Sequence, residues 1–253
     1  MRSAIVIPAR YGSTRLPAKP LLRSTGKYLI QHVYENACAA KAVQLVVVAT
    51  DDPRIAAAVD SFGGNVIMTR GNHATGTDRV AEVAADLDVD VIVNLQGDEP
   101  EVAPAAIDML PELLSKHLDA DMATLATPIR SRLQLHNPNC VKVVCDEQGR
   151  ALYFSRAPIP YVRDGECDFQ SDPPRFLQHL GLYAYRREFL QRITDMPPGA
   201  LEQDEKLEQL RVLANGGWIQ VGLVHDATSG VDTLSDYERF VRRFRGQRLA
   251  SAA

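Results

Sequence analysis

Three cations, Arg10, Arg15 and Lys19, crowd a loop that follows a short apolar run, Ala4-Ile5-Val6-Ile7. Fixed positive charge at the carboxyl end of a first parallel strand is where an open α/β sheet receives an anionic ligand. A diphosphate or triphosphate matches that charge. Pro8, Pro17 and Pro20 stiffen the loop, and Gly12, Ser13 and Thr14 add freedom and hydroxyls. The alternative is a solvated loop with incidental charge. Far along the chain, Val91-Ile92-Val93-Asn94-Leu95 runs into Gln96-Gly97-Asp98-Glu99-Pro100. An acid ending a buried strand lies on the ligand edge of the sheet. Nucleoside triphosphates arrive with Mg²⁺, which prefers one or two carboxylates plus phosphate oxygens and water. Asp98 is thus the first candidate metal ligand. Glu99, its neighbour, points the other way and takes a secondary place. Asp232, in Gly230-Val231-Asp232-Thr233, is the candidate second acid. The competing reading is that Asp232 or Thr233 caps the helix that follows.

The first loop is neither common phosphate motif. A dinucleotide fingerprint needs G-x-G-x-x-G, and only Gly12 is present. Gly26-Lys27 has Leu21 and Tyr28 where a Walker loop needs glycine and a hydroxyl. A second polar loop, Thr69 to Arg79, enters a helix capped by Thr77 or Asp78. Its backbone N–H groups could read a base and ribose, and Arg79 could reach a phosphate. The alternative is that Asp78 and Arg79 are ordinary surface charges of the helix. Arg156 ends a strand before Pro158 and could pair bidentately with a carboxylate; a surface arginine is equally consistent. His179 sits in a strand-like context, where a lone histidine is more often structural than catalytic. Glu208 and Gln209 lie on a helix whose apolar face is Leu207, Leu210 and Leu213-Ala214.

These residues need a scaffold. Leu29 to Ala37 repeats with helical spacing, and Leu45-Val46-Val47-Val48-Ala49 is a β-branched run suited to a strand buried on both faces. Asp52-Pro53 opens a helix. Val66-Ile67-Met68 and Val91-Ile92-Val93 are further strands. The alternation predicts an α/β fold with a doubly wound, mostly parallel sheet. The rhythm changes after about Thr127. Val141–Cys145 and Ala151–Ser155 flank Asp146–Arg150 as a hairpin. A proline-rich stretch follows, then a strand over Leu180–Tyr185, helices over Arg187–Ile193 and Asp204–Ala214, a strand over Trp218–Leu223 and a last helix over Leu234–Phe244. The expectation is one domain over residues 1–253, carrying an inserted α+β lobe at 131–214 for acceptor binding and dimer contacts.

With 253 residues and 45% hydrophobic content, a sizeable core is possible. The formal charge of −4 argues against nonspecific binding to nucleic acid or an anionic membrane. No apolar run approaches the ~20 residues of a membrane span. The apolar run close to Met1 reads as a strand rather than a leader, so no signal peptide is expected. Cys38, Cys140, Cys145 and Cys167 make no C-x-x-C pair, so they read as reduced thiols of a cytoplasmic protein.

The first turn resembles that of sugar nucleotidyltransferases, A-R-x-x-S-T-R-L-P-G-K. Together with Thr75–Arg79, Val93–Pro100, Tyr153–Arg156 with Pro158-Ile159-Pro160, His179–Tyr183, Leu207–Arg211 and Gly230–Thr233, the chain resembles the CMP-Kdo synthetase family over nearly its whole length. The first turn and Val93–Pro100 are common to CMP-sugar synthetases; the Ser155-Arg156, His179–Tyr183 and Leu207–Arg211 segments carry the Kdo likeness. The resemblance implies a nucleotide-diphospho-sugar transferase fold and transfer of CMP from CTP to the anomeric hydroxyl of 3-deoxy-D-manno-octulosonate (Kdo), for lipopolysaccharide biosynthesis, with Mg²⁺ and as a homodimer. It implies that Asp98, Lys19 and Arg10 are catalytic. Ala9, Arg10, Lys19, Thr75, Gly76, Thr77, Arg79, Gln96 and Gly97 would line the nucleotide. Gln96, Arg156, His179, Tyr183, Glu208 and Gln209 would line the sugar acid, and Asp98 and Asp232 would hold Mg²⁺. Ala18 stands where the family has glycine, Tyr28 where it usually has proline, and Thr75 where serine is common. No residue stands out as a general base, so catalysis would be mainly positioning and charge neutralisation. A dehydrogenase would need the missing fingerprint. A noncatalytic nucleotide-binding module would have no need for Asp98 and Asp232 together.

Overall fold

A computed structural model describes residues 1–12, 15–225 and 230–251, with side chains through Gly246. Ser13 and Thr14 lie outside the described residues. The chain divides into two compact units: Arg2–Asp108 with Thr228–Ala253, and Met1 with Met109–Ala227. Residues 131–214 fall inside the latter.

The unit that begins at Arg2 is built on β1 (Ser3–Ala9), α1 (Leu29–Cys38), β2 (Leu45–Thr50), α2 (Pro53–Ser61), β3 (Val66–Met68), α3 (Gly76–Ala85) and β4 (Val91–Asn94). Its strands run in the order β3-β2-β1-β4, every neighbouring pair parallel. β1 lies between β2 and β4, with Ile5 opposite both Val46 and Val93. Its Ala4-Ile5-Val6-Ile7 run has no exposure, as the continuous apolar pattern requires. Asp52 caps α2 by accepting from Arg54 N–H at 2.9 Å. The division between the units falls within α4 (Pro104–Lys116), whose interior Pro111 interrupts the pattern that would have marked it as a helix.

The other unit contains β5 (Met122–Pro128), α5 (Arg132–His136), β6 (Lys142–Cys145), β7 (Ala151–Ser155), β8 (Leu177–Arg186), α6 (Arg187–Asp195), α7 (Ala200–Glu205), α8 (Gln209–Ala214) and β9 (Ile219–Leu223). β5 pairs antiparallel with β8 and parallel with β9. β6 and β7 form the expected hairpin, with Gly149 at φ +78° in the turn. The single helix expected over Asp204–Ala214 is two helices instead. Lys206 adopts the left-handed conformation, φ 53°, and ends α7, while Leu207 N–H closes on Glu202 O. Apolar spacing alone carries no sign of that break.

In the Arg2–Asp108 unit the last helix, α9 (Leu234–Ser251), runs past the expected end at Phe244. Tyr237, Phe240 and Val241 join Leu16, Leu29 and Val231 in one buried cluster. His32 meets the rings of Phe240 and Phe244 edge-on. This packing ties the first loop, through Leu16, to the segment carrying Asp232.

Candidate active site

The loop after β4 folds back onto the end of β1. A Cβ on Gly97 would stand 2.9 Å from Pro8 O, so glycine permits the approach. Asp98 then meets the segment before α9: Val231 N–H donates to Asp98 O at 2.8 Å. The alternatives for Asp232 separate cleanly. Thr233 Oγ1 accepts from Asp236 N–H, and Asp236 accepts in return from Thr233 N–H and Oγ1–H. Thr233 and Asp236 cap α9 between them, and the Asp232 carboxylate points into the cavity. Lys19 Nζ donates to Asp98 Oδ2 at 2.6 Å and to Asp232 Oδ1 at 3.3 Å. Arg15 Nη2 reaches the same Asp232 oxygen at 3.0 Å. The ammonium is largely screened from solvent, its side chain 13% exposed.

These groups border a cavity of about 370 Å³. Pro8, Ala9 and Arg10 line it from the β1 end, with Arg15, Lys19 and Pro20 beside them. His73, Ala74, Thr75, Gly76 and Arg79 line it from the α3 loop, and Gln96, Gly97, Asp98 and Asp232 complete it. Thr77 is buried in the first turn of α3 and is not a lining residue. The cap of α3 is Thr75, not Thr77 or Asp78. Its Oγ1 accepts from Asp78 N–H at 3.1 Å while the Asp78 carboxylate accepts from Thr75 N–H at 2.9 Å. This capping box leaves the helix start facing the cavity. Serine or threonine supplies the same hydroxyl, so Thr75 is no impairment there.

Arg79 is almost fully buried, bonded to Thr69 Oγ1 and paired with Asp51 at 3.0 Å. It is no surface charge. His73 was not singled out by spacing. Its ring bonds the Glu82 carboxylate, which also accepts from Arg70 N–H. A loop residue nine positions from its partner has no periodic signature. Gln96 Nε2 donates to Asn94 Oδ1 at 3.2 Å, which orients the Gln96 amide at the cavity edge.

Ala18 sits immediately before the 3-10 turn Lys19–Leu21 at φ 54°, ψ 25°. Its N–H donates to Tyr11 O at 3.2 Å, so the left-handed conformation closes the loop that delivers Lys19. An L-residue with a Cβ pays about 1–2 kcal/mol there. Glycine relieves that strain but loses more freedom on folding. Ala18→Gly should therefore stabilise the protein by about 0.5–1 kcal/mol, raising Tm by about 1–3 °C in calorimetry. An unchanged or lower Tm would show that the backbone carries no such strain.

The remaining expected site residues belong to the Met109–Ala227 unit. His179 is buried; its Nε2 lies 3.0 Å from Thr124 Oγ1, and its ring is edge-on to Phe154 and tilted against Tyr183. Tyr183 Oη donates to Gln209 Oε1 at 3.3 Å, and Gln209 is 4% exposed with its Nε2 unpartnered. Glu208 stands at the start of α8. Burial first, and then the Glu208 charge, raise the Tyr183 phenol pKa. Arg156 does not extend freely. Its Nε donates to Glu205 O at 2.7 Å, Nη1 to Pro138 O at 2.9 Å and Nη2 to Lys206 O at 3.5 Å. Three of its five N–H donors are held, and one on each terminal nitrogen is left.

Burial depresses the His179 pKa to about 3, against 6.5 when unfolded. The unfolded chain then binds the extra proton between these values. His179 stabilises the fold fully above about pH 6.5, and that stability is lost as pH falls towards 3, by up to about 1.4 kcal/mol per pH unit. Urea midpoints measured from pH 7 to 5 should fall more steeply for the wild type than for His179→Phe. Parallel profiles would rule out a buried neutral imidazole.

Among the described residues, no cluster of three or more His, Cys, Asp or Glu suits a metal, and no helix is long and apolar enough to cross a membrane. The four cysteines are free thiols. The donor set of the cavity is two carboxylates on net-cationic walls. That suits a hard cation completed by phosphate oxygens and water better than an all-protein cage.

A family model described as cytidylyltransferase matches residues 4–222. A 3-deoxy-manno-octulosonate cytidylyltransferase from Rhodopirellula baltica is 48% identical over 250 residues, 98% of this chain and 100% of that protein. The protein of the same name from Syntrophobacter fumaroxidans is 52% identical over 244 residues, 95% and 96% of the two chains. Among solved structures, a CMP:2-keto-3-deoxy-manno-octonic acid synthetase complexed with CTP superposes with a TM-score of 0.91 at 44% identity, covering 98% of this chain and 100% of that one.

Proposed function

The chain belongs to the cytidylyltransferase family, and we propose from its site that it transfers CMP from CTP to Kdo, releasing pyrophosphate, as a step in lipopolysaccharide biosynthesis. The observation that carries this reading is the meeting of Asp98, Asp232 and Lys19 in a cavity walled by Arg10, Arg15 and the start of α3. A triphosphate needs that combination of cations, backbone donors and paired acids. Full-length similarity to proteins named for this reaction supports the choice of CTP and Kdo.

The acceptor's anomeric hydroxyl attacks the α-phosphorus in line, and pyrophosphate leaves. Arg10 and Lys19 hold the phosphate chain and meet the charge that builds on the leaving group. Thr75, Gly76 and Arg79 flank the nucleotide, and Ala9, Gln96 and Gly97 close against it. Thr77 acts through the helix turn it belongs to. Asp98 and Asp232 would hold Mg²⁺, which neutralises phosphate charge and polarises phosphoryl oxygens when bound. We assign the sugar acid to Arg156, His179, Tyr183, Glu208 and Gln209. Arg156 grips the carboxylate with its remaining terminal N–H groups. His179, neutral at physiological pH, hydrogen-bonds without moving a proton. Arg156→Ala should therefore raise the KM for Kdo about tenfold or more with little change for CTP, since a charge-assisted pair is lost; the reverse pattern would remove Arg156 from acceptor binding. We also read the chain as a cytoplasmic homodimer, with residues 131–214 supplying acceptor and dimer contacts; sedimentation at micromolar concentration tests the assembly.

Phosphorus labels test the reaction. Label at the α-phosphate of CTP should appear in the sugar product and label at the γ-phosphate in pyrophosphate. Release of γ-label as free phosphate, with no labelled sugar, would point to a nucleotidase.

A further inference from the structure

Lys19 has two tasks to divide. The proposed reaction needs it on the phosphate chain, yet its ammonium here serves both carboxylates of the acid pair. We infer that Lys19 is the internal counter-ion of Asp98 and Asp232 in the nucleotide-free protein. It thereby excludes a divalent cation until an anionic ligand draws the ammonium away. The inference rests on reading this cavity as a nucleotide–metal site.

Charge supports it. Asp98, Asp232, Lys19 and Arg15 form a neutral group, so a bare divalent cation finds no net attraction there. The rest of the lining makes this worse, since Arg10 faces the same cavity, while the Arg79 charge there is balanced by Asp51. No third acid is grouped with the pair among the described residues. The side-chain exposures, 13% for Lys19 and 29% for Asp98, place this contact where water screens it only partly. An arriving polyphosphate reverses the balance. It offers Lys19 several oxygens, leaves the two carboxylates without their ammonium and brings negative charge of its own. Cation affinity then appears together with the nucleotide. Geometry favours the exchange: Lys19 follows the left-handed turn at Ala18, and its ammonium hangs on a four-carbon stem that can re-aim without moving the loop.

Mn²⁺ titration of the nucleotide-free protein, read by the electron paramagnetic resonance signal of free Mn²⁺, tests this directly. The wild type should take up no stoichiometric Mn²⁺, and Lys19→Arg should behave alike because it keeps the charge. Lys19→Met should gain one site, about tenfold or more tighter than any in the wild type. Adding Asp98→Asn to Lys19→Met should remove that site. CTP should bring Mn²⁺ into the wild type. Stoichiometric Mn²⁺ uptake by the nucleotide-free wild type overturns the inference whether or not any variant folds. A Lys19→Met protein with native circular dichroism and no new site overturns it too. If Lys19→Met gains the site but CTP brings no Mn²⁺ into the wild type, the counter-ion role stands and the nucleotide reading fails.

Discussion

Asp98→Asn should lower kcat for CMP transfer by about 10³-fold while leaving the fold intact. The substitution keeps shape and removes charge. Asp98 stands just past the end of β4, and what ties this loop to the segment before α9 is its main-chain carbonyl, which accepts from Val231 N–H. That bond survives the change. Lys19 retains Asp232 as its partner. What disappears is one of two carboxylates available to a hard cation, and an amide oxygen is a poor replacement for a negative charge. Because the loss falls on charge that matters most in the transition state, kcat should drop more than the KM for CTP rises. Pyrophosphate release and thermal unfolding measured on the same preparation check both halves. A folded variant with wild-type turnover would remove Asp98 from the chemistry.

The second large effect is structural. Lys142 lies in β6 with no exposure at all. Its ammonium donates to three backbone carbonyls: Asn137 O at 3.1 Å, Cys140 O at 2.6 Å and Arg156 O at 2.6 Å. Burial pushes its pKa below the ordinary lysine value. A buried ion pair can often be replaced by apolar residues with little loss, because both charges go. That escape is closed here, since backbone carbonyls cannot be mutated away. Lys142→Met fills the space but leaves Cys140 O and Arg156 O without this donor, while Asn137 O keeps Cys140 N–H; each lost bond costs about 1–3 kcal/mol, offset in part by the desolvation removed with the ammonium. The net expectation is a loss of about 3 kcal/mol, or a Tm lower by about 6–12 °C. Calorimetry at neutral pH reads it. A Tm within a degree of wild type would mean that the carbonyls find other donors.

Sequence pattern carried the α/β fold well, and for physical reasons. Strands buried on both faces, such as β1 and β2, read as continuous apolar runs, and Asp52-Pro53 marked a helix start through its cap. The β6–β7 hairpin followed from Gly149 between two apolar runs. The break between α7 and α8 was hidden, because a left-handed Lys206 has no compositional sign. α4 was hidden by Pro111. In the site, Asp98 was legible as an acid ending an apolar strand. Asp232 was ambiguous until Thr233 and Asp236 were found capping α9 in its stead. The His73–Glu82 pair and the ammonium shared by two acids depend on contacts between distant segments, which spacing does not encode. The backbone at Ala18 was readable only conditionally, from the glycine its resemblance led one to expect; φ 54° supplies the condition.

Pyrophosphate release with CTP and Mg²⁺, compared across sugar acids in one assay, tests the central claim most directly. The account predicts steady release with Kdo, with CMP-Kdo formed in equal amount, and little with N-acetylneuraminic acid or without an acceptor. Equal release without Kdo, or a clear preference for N-acetylneuraminic acid, would contradict it.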